Sequence, residues 1–543
     1  MKRLLSSRKM PGVLANGLRS GLLCAALFAL PLIQAAQAAE TKPVDGGTAI
    51  AALGADPAVL NPAISVGVPD VFTGCILYDA LIRFGQNFKI EPSLAKSWEI
   101  SPDGLTYTFH LEKASFTDGQ PVTSEDVKFS LMDVSSKYGP KFIAAGKFIK
   151  EIDTPDPMTV VIKLSKPFGP FLFSLACEQN AAILPEHVFK GTDVLKNPAS
   201  LSQPVGEGPF MLKEWVRGDH LTFVKNPHYW RKGEPHLDQI VVKIMPDTPA
   251  RVLALRAGEV DFIDEYYFPL SAYSQFSHNP NFTLQDVSYP SDDVLIINTK
   301  RQPFDKPEVR QALLMAIDRD FIHKSVFYGI GGVAVSSIDT RIKWAYNPAV
   351  NYDKMYPYDP KKAAALLDKA GVKPGSDGTR FTLHLSYDAG RPEYNALAQA
   401  LQRYWKAIGV NVVLQGAERP VVLKKVYSDY DFDVTIQNYT TSGDPALGIA
   451  RLYVTDSIKK GSTFNNASQY SNPEVDKLFR EGQNGRTEEE RAKDYFKVQE
   501  ILARDLPVLT IHQQAEIDAA SNRLHDVFFG ANYVWWGSVW MQQ

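Results

Sequence analysis

Gln239-Ile240-Val241-Val242-Lys243-Ile244, then Thr248-Pro249-Ala250-Arg251-Val252-Leu253-Ala254-Leu255-Arg256-Ala257-Gly258, then Val260-Asp261-Phe262-Ile263, is the stretch that decides the fold class. The first run is β-branched and short, as a buried strand requires. Thr248 is a good N-cap and Pro249 suits the first helical position, where its missing N–H costs nothing. Gly258 closes the helix in a left-handed conformation. Strand, helix and strand in succession predict an α/β core.

The same punctuation continues downstream. Asp305-Lys306-Pro307-Glu308 has the form of a capping box, and Val309, Leu313, Ala316 and Ile317 then form one apolar stripe. Asp359-Pro360 opens another helix, with Ala363, Leu366, Leu367 and Ala370 on one face and Gly371 as its stop. Thr487-Glu488-Glu489-Glu490 caps a long helix that ends before Pro507, and Leu506 to Ile511 reads as a strand returning to an earlier sheet. The chain has 543 residues, enough for two or three domains, and its 36 Gly and 36 Pro fit many turns rather than a helical bundle.

Lys2, Arg3, Arg8, Lys9 and Arg19 precede and flank the apolar run Gly21 to Ile33, and Ala36-Gln37-Ala38 offers a small-x-small cleavage site. This predicts a secretory signal over 1–38 rather than a membrane anchor, because the run is shorter than the ~18 residues that span a bilayer. Leu23 stands where a lipobox wants a small residue, so Cys24 is not expected to be lipidated. The chain is expected to be soluble after processing, in the periplasm. Removal of the signal leaves 53 of the 58 basic residues against 61 acidic ones, a net charge of about −8, which argues against nucleic acid as a partner. Cys75 and Cys177 remain, either as a disulfide or as two packed thiols. No nucleophile elbow, phosphate loop or His-x-x-x-His pair with an attendant acid is present, so no catalytic residue, metal or cofactor is expected.

Pro92-Ser93-Leu94-Ala95-Lys96-Ser97-Trp98-Glu99 leads to the turn Pro102-Asp103-Gly104. A strand follows with Leu105, Tyr107, Phe109 and Leu111 on one face. Phe116-Thr117-Asp118-Gly119 then turns the chain into a helix capped by Thr123. Further along stand Gly206-Glu207-Gly208-Pro209-Phe210, Asn226-Pro227-His228-Tyr229-Trp230, Leu255 to Asp261, Arg310-Gln311-Ala312-Leu313 with Ala316 to Arg319, Asn472 to Asp476, and Leu506 to Leu509. In this order the segments resemble the solute-binding proteins of peptide, dipeptide and nickel ABC importers, the bacterial extracellular family 5. Glu207 departs from the pattern, where Thr is commoner.

The resemblance implies an α/β, two-lobed periplasmic-binding-protein fold with a hinge and an extra α+β domain on the first lobe (cluster C type). It places the discontinuous first lobe at 39–84, 180–290 and 511–543, the extra domain at 85–179 and the second lobe at 291–510. It implies a non-enzymatic receptor that captures a peptide or peptide-like solute in the interlobe cleft. Partners would be that ligand and an ABC permease with its ATPase subunits, and the receptor would be a monomer. The alternative ligand is an opine, sugar or other polar metabolite; a remoter one is a periplasmic enzyme or chaperone on the same fold.

Relatives contact their ligand through a loop after the strand Phe432 to Ile436, here Gln437-Asn438-Tyr439-Thr440-Thr441-Ser442-Gly443-Asp444-Pro445. Tyr439, Thr440, Thr441, Ser442 and Asp444 are therefore ligand-binding candidates, with Tyr439 as a stacking surface and Asp444 alternatively a turn residue. Peptide-binding relatives often carry an ammonium-binding acid where Thr441 or Ser442 stands. Arg451 is a candidate for a ligand carboxylate, or else forms an ion pair. Trp344 and Tyr346 are candidates to wall the cleft. Asp70 is a candidate for a cation, or else caps a helix.

Overall fold

The computed structural model describes residues 42–287, 290–440, 443–527 and 534–542, so the signal read at 1–38 lies outside the described residues. Two large sheets organise the chain. The first has seven strands in the order Phe282–Asp286, Ile517–Ser521, Phe262–Ile263, Thr48–Leu53, Gln239–Ile244, His220–Lys225 and Phe210–Val216. The second has six, in the order Gly332–Val333, Val508–Gln513, Ser291–Ile297, Val434–Thr440, Phe381–Asp388 and Val410–Ala417. A separate four-stranded antiparallel sheet runs Ala95–Ile100, Thr106–Leu111, Thr159–Leu164 and Ile149–Asp156.

The deciding stretch folds as a strand, a helix and a strand. Strands Gln239–Ile244 and Phe262–Ile263 both run parallel to Thr48–Leu53, which lies between them. The helix is Thr248–Ala257, and Gly258 ends it at φ +75°. Its cap is Asp247, one residue earlier than expected, whose carboxylate accepts from the Ala250 N–H. Asp359 and Thr487 cap as expected. The helix Pro307–Met315 begins after Lys306 with no side-chain cap, so Asp305 does not form the anticipated box.

Each sheet carries its own core. Leu295, Ile297, Leu383, Leu385, Val434 and Ile436 face the helices Pro307–Met315 and Pro392–Lys406. Val294, Ile296 and Tyr439 point the other way, into a cluster with Tyr427, Tyr453 and Tyr495. Tyr107, Phe109 and Leu111 fill the core of the small sheet, as the alternation predicted. Thr123 and Asp126 form a complete capping box on the helix Ser124–Phe129. The strand Val508–Gln513 pairs with Ser291–Ile297 in the second sheet. The return to the first sheet is made by the next strand, Ile517–Ser521.

The motif Gly206-Glu207-Gly208-Pro209 explains itself by close approach. A Cβ on Gly206 would lie 2.1 Å from the Leu77 carbonyl oxygen, and one on Gly208 2.5 Å from the Leu77 carbonyl carbon. Asn226 holds the turn by donating to the Gly208 carbonyl. Trp230 Nε1 and the Tyr229 hydroxyl donate to Asp79 Oδ2, and the Asp79 N–H donates to Glu207 Oε1.

Glu207 is fully buried, and its Oε2 has no hydrogen-bond partner among the described residues. Burial, then the neighbouring Asp79 charge, push its carboxyl well above the usual range, and burial takes Asp79 up to about 6. Both folded pKa values exceed those of the unfolded chain. The contribution of these two groups to stability is therefore greatest below about pH 4 and is lost as pH rises through the raised values. Glu207→Gln keeps the acceptor for the Asp79 N–H and removes the charge. It is expected to stabilise the protein by about 1–3 kcal/mol at pH 8 and by little at pH 4. Urea unfolding at the two pH values measures this; a variant no more stable than wild type at pH 8 overturns it.

Candidate ligand-binding cleft

The two large sheets are joined by two crossings, from Phe282–Asp286 to Ser291–Ile297 and from Val508–Gln513 to Ile517–Ser521. Arg341 braces the crossings by donating to the carbonyls of Ser291 and Gln514 while paired with Asp339. Two cavities open beside them.

The larger, of about 740 Å³, is walled by Glu265, Tyr266 and Phe268 from the first-sheet side and by Ala515 and Glu516 at the crossing. Asp293, Arg391, Arg419, Asn438 and His512 wall it from the second-sheet side. Its second-sheet floor is well bonded. Asp293 Oδ1 accepts from the Tyr394 hydroxyl at 2.9 Å and from Gln514 at 2.7 Å. His512 places Nδ1 3.2 Å from Asp293 Oδ2 and Nε2 2.9 Å from the Ile330 carbonyl, under the parallel ring of Phe327. On the first-sheet wall Glu265 differs: one of its carboxylate oxygens lies within 4.8 Å of one from Asp264 and one from Asp518.

The second cavity, of about 580 Å³, lies between the small sheet's side and the second large sheet. Phe88, Ile90 and Phe173 face Arg341, Lys343, Trp344, Gly443, Asp444 and Arg491 across it.

The candidates read from sequence divide between these places. Trp344 and Asp444 line the second cavity. Asp444 is also a turn residue, accepting from the Ala446 N–H, and its two oxygens take a fork from Arg491 at 2.6 and 2.7 Å. Tyr346 lines neither cavity; its hydroxyl reaches the Val350 carbonyl. Tyr439 is not a cleft stacking surface: it is 2% exposed, and its hydroxyl meets that of Tyr427 at 2.7 Å. The reason is register. The strand extends to Thr440 instead of ending at Ile436, and alternation sends Asn438 to the large cavity and Tyr439 to the core. Thr440 accepts from Ser291 across the strand pair. Thr441 and Ser442 lie outside the described residues. Among the described residues Arg451 makes no carboxylate pair, and it lies 5.4 Å over the Tyr439 ring. Asp70 is buried, and its carboxylate ties down Ala58, Val59 and Ser65. It is not the cap of helix Val68–Leu77, which starts after Gly67.

Residues 89–461 match the family model of bacterial extracellular solute-binding proteins, family 5 middle. The chain belongs to that family. The probable D,D-dipeptide-binding periplasmic protein DdpA of Escherichia coli K12 is 31% identical over 85% of this chain and 87% of its own. The oligopeptide-binding protein AppA of Bacillus subtilis, solved with a nonapeptide, superposes with a TM-score of 0.73 at 26% identity, over 92% of this chain and all of that one. AgaA of A. tumefaciens R10, solved with agropinic acid, gives a TM-score of 0.71 at 28% identity, over 92% of this chain and 99% of that one. The fold is thus the two-lobed periplasmic-binding-protein fold.

For this family 5 member, sequence reading missed Arg491, Glu265, Glu516 and Asp518. Arg491 lies in the helix Glu488–Asp505, and nothing in its sequence neighbourhood marks it as the partner of Asp444. The doublet Asp264-Glu265 directly after a strand and before Tyr266-Tyr267-Phe268 was a usable signal, because acids beside aromatics at a strand end are costly without a purpose. Among the described residues no helix is long and apolar enough to cross a membrane.

Proposed function

We propose that this chain is the periplasmic receptor of an ABC importer, exported by the leader at 1–38, and that it captures a peptide or peptide-like solute between its lobes and presents it, as a monomer, to a membrane permease served by ATPase subunits. The observation that carries this reading is the cavity of about 740 Å³ walled from both lobes and from the crossing between them, in a chain of family 5. A hinged pair of lobes needs no reaction chemistry: a solute that contacts both walls stabilises the closed form by its differential affinity. We further propose the division into a first lobe at 39–84, 180–290 and from about 514 on, an extra domain at 85–179, and a second lobe from 291 to about 513. The last boundary follows the strand Val508–Gln513, which belongs to the second sheet. Trp344 and Asp444 remain in the proposed ligand-facing set, joined by Asn438, Glu265 and Glu516.

A second reading keeps the receptor and makes the ligand an opine or related polar metabolite. It is favoured by the bound agropinic acid of AgaA and by Thr441 and Ser442 standing where an ammonium-binding acid is usual. Native mass spectrometry of the purified protein, with thermal shift against pools of peptides, opines and sugars, separates the two. Co-purified peptides of mixed sequence are expected. Stabilisation by opines or sugars with none by peptides overturns the peptide reading, and silence from every pool overturns the receptor.

A further inference from the structure

The small-sheet region touches the second large sheet's side at the rim of the second cavity, away from the crossings. The Gly169 N–H donates to the Gln483 carbonyl at 3.0 Å, and Arg486 Nη1 donates to the Pro102 carbonyl. Leu447 packs against the core of the small sheet, beside Phe88 and Phe173. The turn Pro102-Asp103-Gly104 and the segment 169–173 thus meet the segments 483–491 and 443–447.

The fit is reciprocal. A Cβ on Gly169 would lie 2.7 Å from Arg491 Nε, and one on Gly443 2.9 Å from the Phe173 ring. Each side offers a glycine where the other offers a large side chain. Gly443 has φ +72°, which by itself favours glycine, but Gly169 has no positive φ. Its missing side chain is accounted for by the approach of Arg491. That guanidinium cannot swing aside cheaply, because the Asp444 carboxylate and the Gly482 carbonyl hold it.

The same small-sheet region is tied to the first large sheet's side far more firmly. The Cys75–Cys177 bond joins them covalently. Lys141 N–H donates to Asn180, Leu184 N–H to Ser130, Glu186 N–H to Asp126, and Thr117 N–H to the Gly206 carbonyl. Rotation at the crossings would therefore carry the small sheet with the first lobe and part it from 443–447 and 483–491.

We propose that the extra domain is a latch for the second lobe: its turn at Pro102 and its segment at Gly169 clasp the segment from Gln483 to Arg491 when the lobes close, and hold them closed independently of the solute. This rests on the receptor reading, and adds a contact that sets how readily the closed form reopens. The clasp is weak by design of its parts. One of its two hydrogen bonds comes from Arg486, a half-exposed side chain also paired with Glu490, so the latch can slip without unfolding either side.

The test reads the separation of spin labels at Lys96→Cys, on the small sheet, and Lys477→Cys, on the helix Pro473–Asn484, both exposed. Double electron–electron resonance is recorded on protein unfolded in guanidinium and refolded, with its disulfide intact, to free it of solute. A short separation is expected to dominate in the labelled parent. Arg486→Ala removes one hydrogen bond, and Gly169→Ala wedges a methyl group against Arg491. Each is expected to lower the ratio of short to long separations by at least about 5-fold. A short separation kept by both variants overturns the latch, as does one separation common to all three proteins or a parent that is already open. Arg486→Ala decides the matter if Gly169→Ala disturbs the fold around Arg491. Because every arm is read without solute, failure here leaves the receptor reading to the solute pools.

Discussion

Cys75→Ala/Cys177→Ala is expected to lower the unfolding free energy by about 4 kcal/mol. The two sulfurs are bonded, with Cα atoms 6.0 Å apart and a sequence separation of 102. The loop so closed contains the entire four-stranded sheet from Ala95 to Leu164. A cross-link over about 100 residues removes unfolded-chain entropy worth about 4–5 kcal/mol in the chain-entropy account. The bond fastens the helix Val68–Leu77 to the segment Cys177–Gln179, both packed into the core of the seven-stranded sheet. Wild type unfolded in guanidinium with a reducing agent is expected to match the variant, and wild type without it to unfold at higher denaturant. A variant within about 1 kcal/mol of oxidised wild type would show that the unfolded chain keeps this region compact even without the bond.

Asp444→Ala is expected to cost a comparable amount, about 3–5 kcal/mol, for a different reason. Asp444 and Arg491 are 6% and 4% exposed and meet through two parallel hydrogen bonds. Arg491 also donates to the Gly482 carbonyl and the Tyr495 hydroxyl, and lies 4.7 Å over the Trp344 ring. Removing the carboxylate leaves a guanidinium buried without its counter-charge. The double variant Asp444→Leu/Arg491→Met removes both charges and is expected to be markedly more stable than Asp444→Ala. Denaturant midpoints of the two variants and wild type measure the coupling; equal losses in both variants would show that the pair is too well solvated to matter. Because Asp444 and Trp344 line the second cavity, Asp444→Ala is also expected to weaken solute capture.

Local chemistry was legible wherever a residue acts on its own neighbours. Asp359, Thr487 and Thr123 cap helices because each side chain reaches an N–H two or three residues on. Tyr439 was misread because Gln437-Asn438-Tyr439-Thr440 is polar enough to pass for a loop. Its pairing with Ser291 to Val294 makes it a strand. The partner lies some 150 residues away, and only that pairing decides which of two adjacent side chains meets the cavity.

The sequence by itself determined the α/β alternation and the ordered family 5 segments, because these depend on neighbours along the chain. Only the tertiary structure decided that Cys75 and Cys177 bond, that Arg491 answers Asp444, and that Asp264 and Glu265 meet Glu516 and Asp518. Those last acids are about 250 residues apart and are brought together by the two-residue pairing of Phe262 and Ile263 with Ala520 and Ala519. Electrostatic energy depends on distance through space, and a closed sheet sets that distance with no trace in sequence spacing.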